Sequence, residues 1–423
     1  MLKRFLNTSN NIPRDSFVWN MTGSMLNAFQ SVILLMILTR ITSLTEAGIF
    51  TIAYANANLF MFIGKYGMRN FQVSDVNRQF TFKEYNYSRF ITTFIMMAAA
   101  IIYVICAGKA NNYSQNKSLC IIWMCLFKMV DSLEDTYLGL YQQENRLDVA
   151  GKCMTVRMST MIIIFSISLI VTKALLPALI ISTITTAIIC VILIWLTFPS
   201  YRQPNETASM KNIIFLLQKC FPLFLGTFLS FYIGNAPKYA IDSLLSDELQ
   251  ACYGFIAMPV FVIGLLNNFI FNPLIARMSL MWNDKEYKGF KKLFMQQLLV
   301  VVAITVVCEI GAFLLGIPVL SIMYNTDLTN YKSELLVLLL GGGFLALSGL
   351  FVTIITIMRK QNFLAIGYTI VSVFALVLSS VFVRRYEMMG AAGLYVALMV
   401  GLCVIFGVPL VMELNKATKS VSK

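Results

Sequence analysis

The stretch "LCIIWMCLFKMVDSLEDTYLGL", residues 119–140, places four ionisable side chains inside an apolar run long enough to cross a membrane. On a helix, Lys128, Asp131 and Asp135 fall within an arc of about 60°, and Glu134 borders that arc. Facing lipid, Lys128 and Asp131 would together cost on the order of 5–7 kcal/mol. The stretch therefore predicts a transmembrane helix whose polar face is turned toward the interior of a helix bundle or toward water.

The rest of the chain has the composition of an integral membrane protein. Hydrophobic residues make up 58%, charged residues 13%, and the mean hydropathy is +0.75, whereas about a quarter of the residues of soluble domains are charged. A helix needs roughly 20 apolar residues to cross the hydrocarbon core. Segments of about this length lie at 17–38, 46–64, 88–108, 119–139, 155–172, 176–198, 213–235, 250–272, 294–316, 333–357, 363–383 and 390–412. The pattern predicts an all-α polytopic membrane protein with about twelve transmembrane helices and no inserted soluble domain.

The distribution of Lys and Arg indicates the orientation of these helices. About three quarters of the 33 basic residues lie in the two tails and in every second loop, which the positive-inside rule assigns to the cytoplasm. We therefore expect both termini to be cytoplasmic. The net charge of +13 is mostly this orientation signal and gives no case for nucleic-acid binding. The first apolar segment is full length and lacks a small-residue cleavage site, so we expect it to be retained.

Several catalytic classes lack their usual residues. The chain contains no histidine, and its nine cysteines show no CxxC spacing, so we expect no metal site and no cofactor. No GxxxxGK[ST] motif is present, which removes the usual signature of ATP hydrolysis. We therefore expect a protein that is not an enzyme and that draws its energy from an ion gradient, the membrane potential or use of its product.

A weak internal repeat divides the chain into two halves. "TEAGIFTIA", residues 45–53, and "LQACYGFIA", residues 249–257, share two alanines and an isoleucine at equal spacing. Many transporters are built from such repeats. The repeat predicts two six-helix lobes, at residues 1–205 (helices 1–6) and 206–423 (helices 7–12), and the polar face of residues 119–140 favours a hydrated central cavity.

Residues 16–55, "SFVWNMTGSMLNAFQSVILLMILTRITSLTEAGIFTIAYA", resemble the opening of bacterial polysaccharide flippases, which carry lipid-linked oligosaccharides. These belong to the multidrug/oligosaccharidyl-lipid/polysaccharide exporter superfamily. The first helix of that family is rich in small residues and ends in a hydrophobic-Thr-Arg corner, which Thr39 and Arg40 match. The family's entry into helix 2 is matched by Gly48 and Phe50.

Residues 235–257, "NAPKYAIDSLLSDELQACYGFIA", resemble the corner between helices 7 and 8 of the same family. Lys238, Asp242 and Tyr253 fit its pattern of basic and acidic residues followed by a tyrosine. Cys252 departs from it, because glycine usually precedes that tyrosine.

The resemblance implies a flippase that moves an undecaprenyl-diphosphate-linked oligosaccharide from the inner to the outer leaflet of a bacterial cytoplasmic membrane by alternating access. Its partners would be the lipid-linked substrate and membrane lipids, with a polysaccharide polymerase and glycosyltransferases as candidate protein partners. A cation-coupled multidrug or metabolite antiporter of the same superfamily is the alternative, and it would need a compact acidic site. A membrane polymerase or ligase would need larger outer loops, and a structural scaffold would leave the charges of residues 119–140 unexplained.

The candidate substrate-binding residues are the ionisable groups in or beside the first five apolar segments: Lys128, Asp131, Asp135, Arg157, Arg40, Lys65 and Arg69. Lys128 would offer a cation to a phosphate or an acidic sugar, unless it forms only a structural ion pair with Asp131. Lys238 and Asp242, at i,i+4, are candidates for a gate or form a solvated helix pair. Glu309 has no cation one turn away and is a candidate coupling site for a proton or sodium.

Overall fold

The computed structural model describes residues 2–75, 77–201 and 207–421, and these residues form helices and no strands. The α-helices are α1 (Leu2–Asn7), α2 (Ile12–Ile41), α3 (Leu44–Lys65), α4 (Met68–Ser74), α5 (Phe82–Ala110), α6 (Gln115–Gln143), α7 (Leu147–Thr172), α8 (Leu175–Thr197), α9 (Met210–Leu244), α10 (Asp247–Ile256), α11 (Met258–Asn283), α12 (Tyr287–Gly311), α13 (Ile317–Tyr324), α14 (Lys332–Ile357) and α15 (Asn362–Val421). A π-helical turn, Ala312–Gly316, joins α12 to α13.

The helices confirm the predicted fold class. Within the described ranges, nine continuous helical segments are long and apolar enough to cross a membrane. The difference from twelve has physical reasons. The charged side chains of α6 lower its hydropathy below that of the nine segments. The predicted segment 250–272 is divided between α10 and α11, just before Pro259. The last two predicted segments run together in α15, where Glu387 breaks the helical backbone.

The chain folds as two compact units, Met1–Phe228 and Leu229–Lys423, so that the division falls inside α9. We call them the N-unit and the C-unit. The lobe boundary predicted at 205/206 lies outside the described residues. In the N-unit, α6 packs against α3, α5, α7 and α8, and in the C-unit, α14 packs against α11, α12 and α15.

The short α1 is fastened to the N-unit. Leu6 is buried among residues of α6, α7 and α8. Lys152 donates hydrogen bonds to the carbonyl oxygens of Phe5 (3.1 Å) and Thr8 (3.0 Å) and to the hydroxyl of Ser9 (2.8 Å). The polar N-terminal stretch is therefore part of the folded N-unit.

The repeat is visible as two similar helix starts. Ser43 caps α3 by accepting a hydrogen bond from the backbone N–H of Glu46, and Ser246 caps α10 by accepting one from that of Leu249. Serine is a favoured N-cap because its hydroxyl satisfies a free N–H of the first turn. The two repeat segments therefore begin helices in the same way.

Three consecutive glycines allow close packing around α14. A Cβ atom added at Gly341 would lie 2.5 Å from the ring of Tyr395, and one at Gly343 would lie 2.5 Å from Thr305. Neighbouring helices therefore approach the backbone of α14 at this level.

Candidate functional site

The polar face of α6 forms one connected group of charges in the N-unit, which we call the charge cluster. Its members come from α3, α4, α5, α6 and α7 and are Lys65, Arg69, Arg89, Lys128, Asp131, Glu134, Asp135 and Arg157. Six of them are buried, and Lys65 and Arg69 are partly exposed. The predicted inward orientation of the polar face is confirmed.

Lys128 is fully coordinated within the protein. Its side chain is 2% exposed, and Nζ donates to Asp131 Oδ2 (3.0 Å) and to Gln30 Oε1 (3.1 Å). The ammonium also lies 4.8 Å from the centre of the Tyr54 ring, a distance at which a cation is attracted to the ring face. The predicted ion pair with Asp131 is therefore present. In addition, α2 contributes the Gln30 oxygen and α3 contributes the Tyr54 ring.

Arg157 joins two carboxylates of α6. Its Nη1 lies 2.5 Å from Asp131 Oδ1, and its Nε lies 2.8 Å from Glu134 Oε2. Asp131 therefore has two cationic partners, Lys128 and Arg157. Since all four residues are buried, this part of the cluster is a desolvated salt-bridge network, in which removal of one partner is costly.

Arg89 is a cluster member that is not among the candidate residues predicted from the sequence. It is fully buried, and it donates to Asp135 Oδ2 (3.0 Å), Thr136 Oγ1 (2.8 Å) and the carbonyl oxygen of Gly64 (2.6 Å). Ser88 precedes it, and Thr92 follows one turn later. These small polar residues mark an inward face of α5, and that spacing could have identified Arg89.

A tight corner between α3 and α4 positions Lys65 and Arg69. Tyr66 and Gly67 both have positive φ, at 50° and 64°, a backbone that reverses the chain and that glycine adopts without strain. Arg69 Nη1 then lies 3.5 Å from Asp135 Oδ1, and Nη2 lies 3.0 Å from Gln142 Oε1. The corner thus places a second arginine, besides Arg89, next to Asp135.

Lys65 differs from the other cations of the charge cluster. It is half-buried and lies within electrostatic range of Asp135 and Asp131. In the described part of the chain, its ammonium forms no hydrogen bond and no ion pair. Lys65 and Arg69, whose side chain is 26% exposed, are therefore the cations of the cluster that are open to an incoming group.

Arg40 does not reach the charge cluster. It is exposed in the last turn of α2. Gln30, which binds Lys128, lies ten residues earlier on the same helix, or about 15 Å along its axis. A role for Arg40 in substrate binding stays a prediction.

Lys238 and Asp242 lie on α9 in the C-unit. Asp242 is buried, whereas Lys238 is half-buried on the wall of a cavity of about 260 Å³. No carboxylate of the described residues forms an ion pair with Lys238. The gate role of the two residues stays a prediction.

Glu309 lies near the end of α12, half-buried between the exposed side chains of Val306, Val307 and Ile310. The π-helical turn Ala312–Gly316 begins three residues later, and such turns are frequent at functional sites. Across the described ranges, the carboxylate of Glu309 has neither an ion-pair partner nor a hydrogen bond. Its role as a coupling site stays a prediction.

Comparison with known proteins identifies the family. The family model described as "Polysaccharide biosynthesis protein" matches residues 14–281, which is more than half of the chain, and the chain belongs to this family. It is 22% identical over 387 residues to the capsular polysaccharide biosynthesis protein CapF of Staphylococcus aureus, and the match covers 89% of this chain and 94% of that protein.

Two solved structures show the same fold. An inward closed conformation of the lipid II flippase MurJ matches with a TM-score of 0.71 at 14% identity, covering 94% of this chain and 90% of that one. An inward-facing multidrug resistance transporter of the MATE family matches with a TM-score of 0.68 at 10% identity, covering 96% and 99%. The fold is therefore that of the multidrug/oligosaccharidyl-lipid/polysaccharide transporters.

Proposed function

We propose that this member of the polysaccharide biosynthesis family moves an undecaprenyl-diphosphate-linked oligosaccharide from the inner to the outer leaflet of a bacterial cytoplasmic membrane. The two units would alternate access to the substrate, and both termini would be cytoplasmic. One observation carries the proposal. The charge cluster contains five cations and three carboxylates, so it has an excess of positive charge inside a membrane-spanning unit.

The contacts within the cluster indicate which cations are available. The guanidinium of Arg89 bonds to three groups, that of Arg157 binds two carboxylates, and Lys128 is held by Asp131 and Gln30. Lys65 and Arg69, the two partly exposed members of the charge cluster, therefore carry its excess positive charge. An arginine can bind phosphate oxygens through two parallel N–H groups, and a lysine adds a point charge. Together they suit a diphosphate.

A cation-coupled antiporter is the second candidate. The observation that favours it is Glu309, a half-buried carboxylate in a fold shared with a multidrug transporter. The charge cluster argues against it, because each carboxylate of the cluster is paired with a lysine or an arginine. An organic cation would have to displace one of these cations, whereas a diphosphate would add to the open ones.

A translocation assay tests the proposal. Purified protein is reconstituted into liposomes with a fluorescent undecaprenyl-diphosphate oligosaccharide, and the fraction accessible to an outside quencher is followed over time, with and without a sodium or proton gradient. We expect translocation above that of empty liposomes. We expect at least a tenfold loss of rate in the double variant Lys65→Gln/Arg69→Gln, and loss of transport with intact membrane insertion in Lys128→Ala.

Arg78→Gln is the matched control. Arg78 is 47% exposed and pairs with Glu144 at 2.7 Å, so this variant also removes a cation from the N-unit but leaves the charge cluster intact. We expect wild-type translocation from it. Unchanged transport by the double variant would overturn the role of Lys65 and Arg69. Ion-driven uptake of organic cations without lipid translocation would support the antiporter instead, with Glu309→Gln as the next variant.

A further inference from the structure

The cavity beside Lys238 lies wholly within the C-unit and forms a second site, which we call the Lys238 cavity. Its walls come from α9, α10, α11, α14 and α15. Three lining residues carry polar side-chain groups: Lys238, Tyr253 and Tyr395. The remaining lining residues are glycines and apolar side chains. The cavity thus has one cation and two phenol hydroxyls on an otherwise apolar surface.

Lys238 has no counterion in the part of the C-unit that the structure describes. It lines the cavity, and it makes no ion pair or hydrogen bond with any of the described residues. A charge within a membrane-spanning helix normally pairs with another charge or faces water, because its desolvation is costly. An incoming anion would supply the missing partner.

The two tyrosines supply hydrogen-bond donors beside this cation. Tyr253 and Tyr395 are 2% and 5% exposed, and both line the cavity. Within the described ranges, neither hydroxyl has a hydrogen-bond partner. Buried tyrosine hydroxyls usually find one. Both hydroxyls are therefore free to donate to an oxygen atom in the cavity.

We propose that the Lys238 cavity binds a compact oxyanion, a carboxylate or a phosphate, with Lys238 as the cation and Tyr253 and Tyr395 as donors. The volume of about 260 Å³ is below the roughly 300–1,000 Å³ of typical small-molecule sites. The cavity therefore suits a single sugar acid or a phosphate group and not an oligosaccharide. The proposal rests on the C-unit alone and is independent of the proposed transport function.

Nuclear magnetic resonance of methylated lysines tests this site directly. Reductive methylation with ¹³C-formaldehyde labels every lysine and keeps its positive charge, and the signal of Lys238 is assigned by its loss in Lys238→Gln. The protein is kept in a detergent with a neutral headgroup, so that no lipid phosphate competes. Glucuronate, inorganic phosphate and neutral glucose are then titrated separately.

We expect a saturable shift of the Lys238 signal with at least one of the two anions and no shift with glucose. A shift with glucuronate alone identifies a carboxylate site, one with phosphate alone a phosphate site, and shifts with both a general oxyanion site. We expect Tyr395→Phe to weaken the binding by at least threefold, because it removes one donor.

Lys332 is the internal control. It is also a half-buried lysine of the C-unit, but it lies 3.8 Å from the centre of the Phe313 ring and outside the cavity. Its signal reports any general effect of ionic strength. A Lys238 signal that does not move with either anion, or that moves only in proportion to that of Lys332, would overturn the proposal. Since no transport is measured, this outcome is distinct from failure of the flippase assay.

Discussion

The N-unit and the C-unit each place a lysine within a membrane-spanning helix, but only the lysine of the N-unit has an ion-pair partner among the described residues. Lys128 is buried, and it is held by Asp131, Gln30 and the face of Tyr54. Lys238 lines a cavity, and no counterion approaches it within the described residues. The fold therefore supplies the hydrogen-bond and ion-pair partners of Lys128, whereas a ligand would supply the counterion of Lys238.

An intramembrane charge can thus have a structural role or a ligand-binding role. A fully paired buried charge contributes to stability mainly through the high cost of breaking the pair. A charge without a partner lowers stability, and within a membrane-spanning helix it marks a candidate binding site. Substitutions that remove one charge from each unit distinguish the two cases, and the buried cysteines of each unit allow its unfolding to be followed separately.

We expect the largest effect from Arg157→Met. It leaves Glu134 without its cation and Asp131 with Lys128 alone, and breaking a buried pair costs about 3–5 kcal/mol. Thermal unfolding of the N-unit is measured by thiol labelling of the buried Cys120, Cys125 and Cys153. We expect labelling at a markedly lower temperature than in the wild type. An unchanged midpoint would show that the network does not stabilise the N-unit.

Lys128→Met should destabilise the N-unit, whereas Lys238→Met should not destabilise the C-unit. The first removes a paired charge and should lower the stability of the N-unit by about 1–3 kcal/mol, since Arg157 still neutralises Asp131. The second removes an unpaired charge from an apolar cavity and should leave the C-unit as stable as before or stabilise it by up to about 2 kcal/mol. Labelling of Cys252 and Cys403 reports the C-unit. Destabilisation by Lys238→Met would indicate a structural role for Lys238.

Gly341→Ala should disturb the Lys238 cavity without touching its charge. The added methyl group would displace the ring of Tyr395, and overpacking of this kind costs about 1–3 kcal/mol. Gly349→Ala is the matched control on α14, because nothing lies within 4 Å of the position of its Cβ. It should stabilise the C-unit by about 0.4–1 kcal/mol through the unfolded state. Equal midpoints for the two variants would argue against close packing at Gly341.

The smallest effect should come from Arg78→Ala. Arg78 pairs with Glu144 on the surface of the N-unit, and exposed salt bridges contribute about 0–1 kcal/mol. The midpoint of N-unit unfolding should stay close to that of the wild type at low and high salt. A loss as large as that of Arg157→Met would mean that burial does not explain the difference between cluster and surface pairs.

Much of the fold could be predicted because hydropathy and helical periodicity are local. The twelve apolar segments and the inward face of α6 were both accessible in this way. The break inside the predicted segment 250–272 was not, because a helix break depends on neighbouring helices as well as on its own residues. Arg89 was missed because a cation beside an apolar segment looks the same whether it faces headgroups or the interior.

The sequence by itself determined the positions of the apolar helices, the family and the presence of charge within the membrane-spanning region. Only the tertiary structure decided which charges are satisfied. Lys128 meets an oxygen of Gln30, 98 positions away, and Arg89 meets Asp135, 46 positions away. The isolation of Lys238 likewise depends on what five different helices bring to the cavity. Hydropathy acts along the chain, whereas the neutralisation of a charge depends on the groups that packing brings within a few ångströms of it.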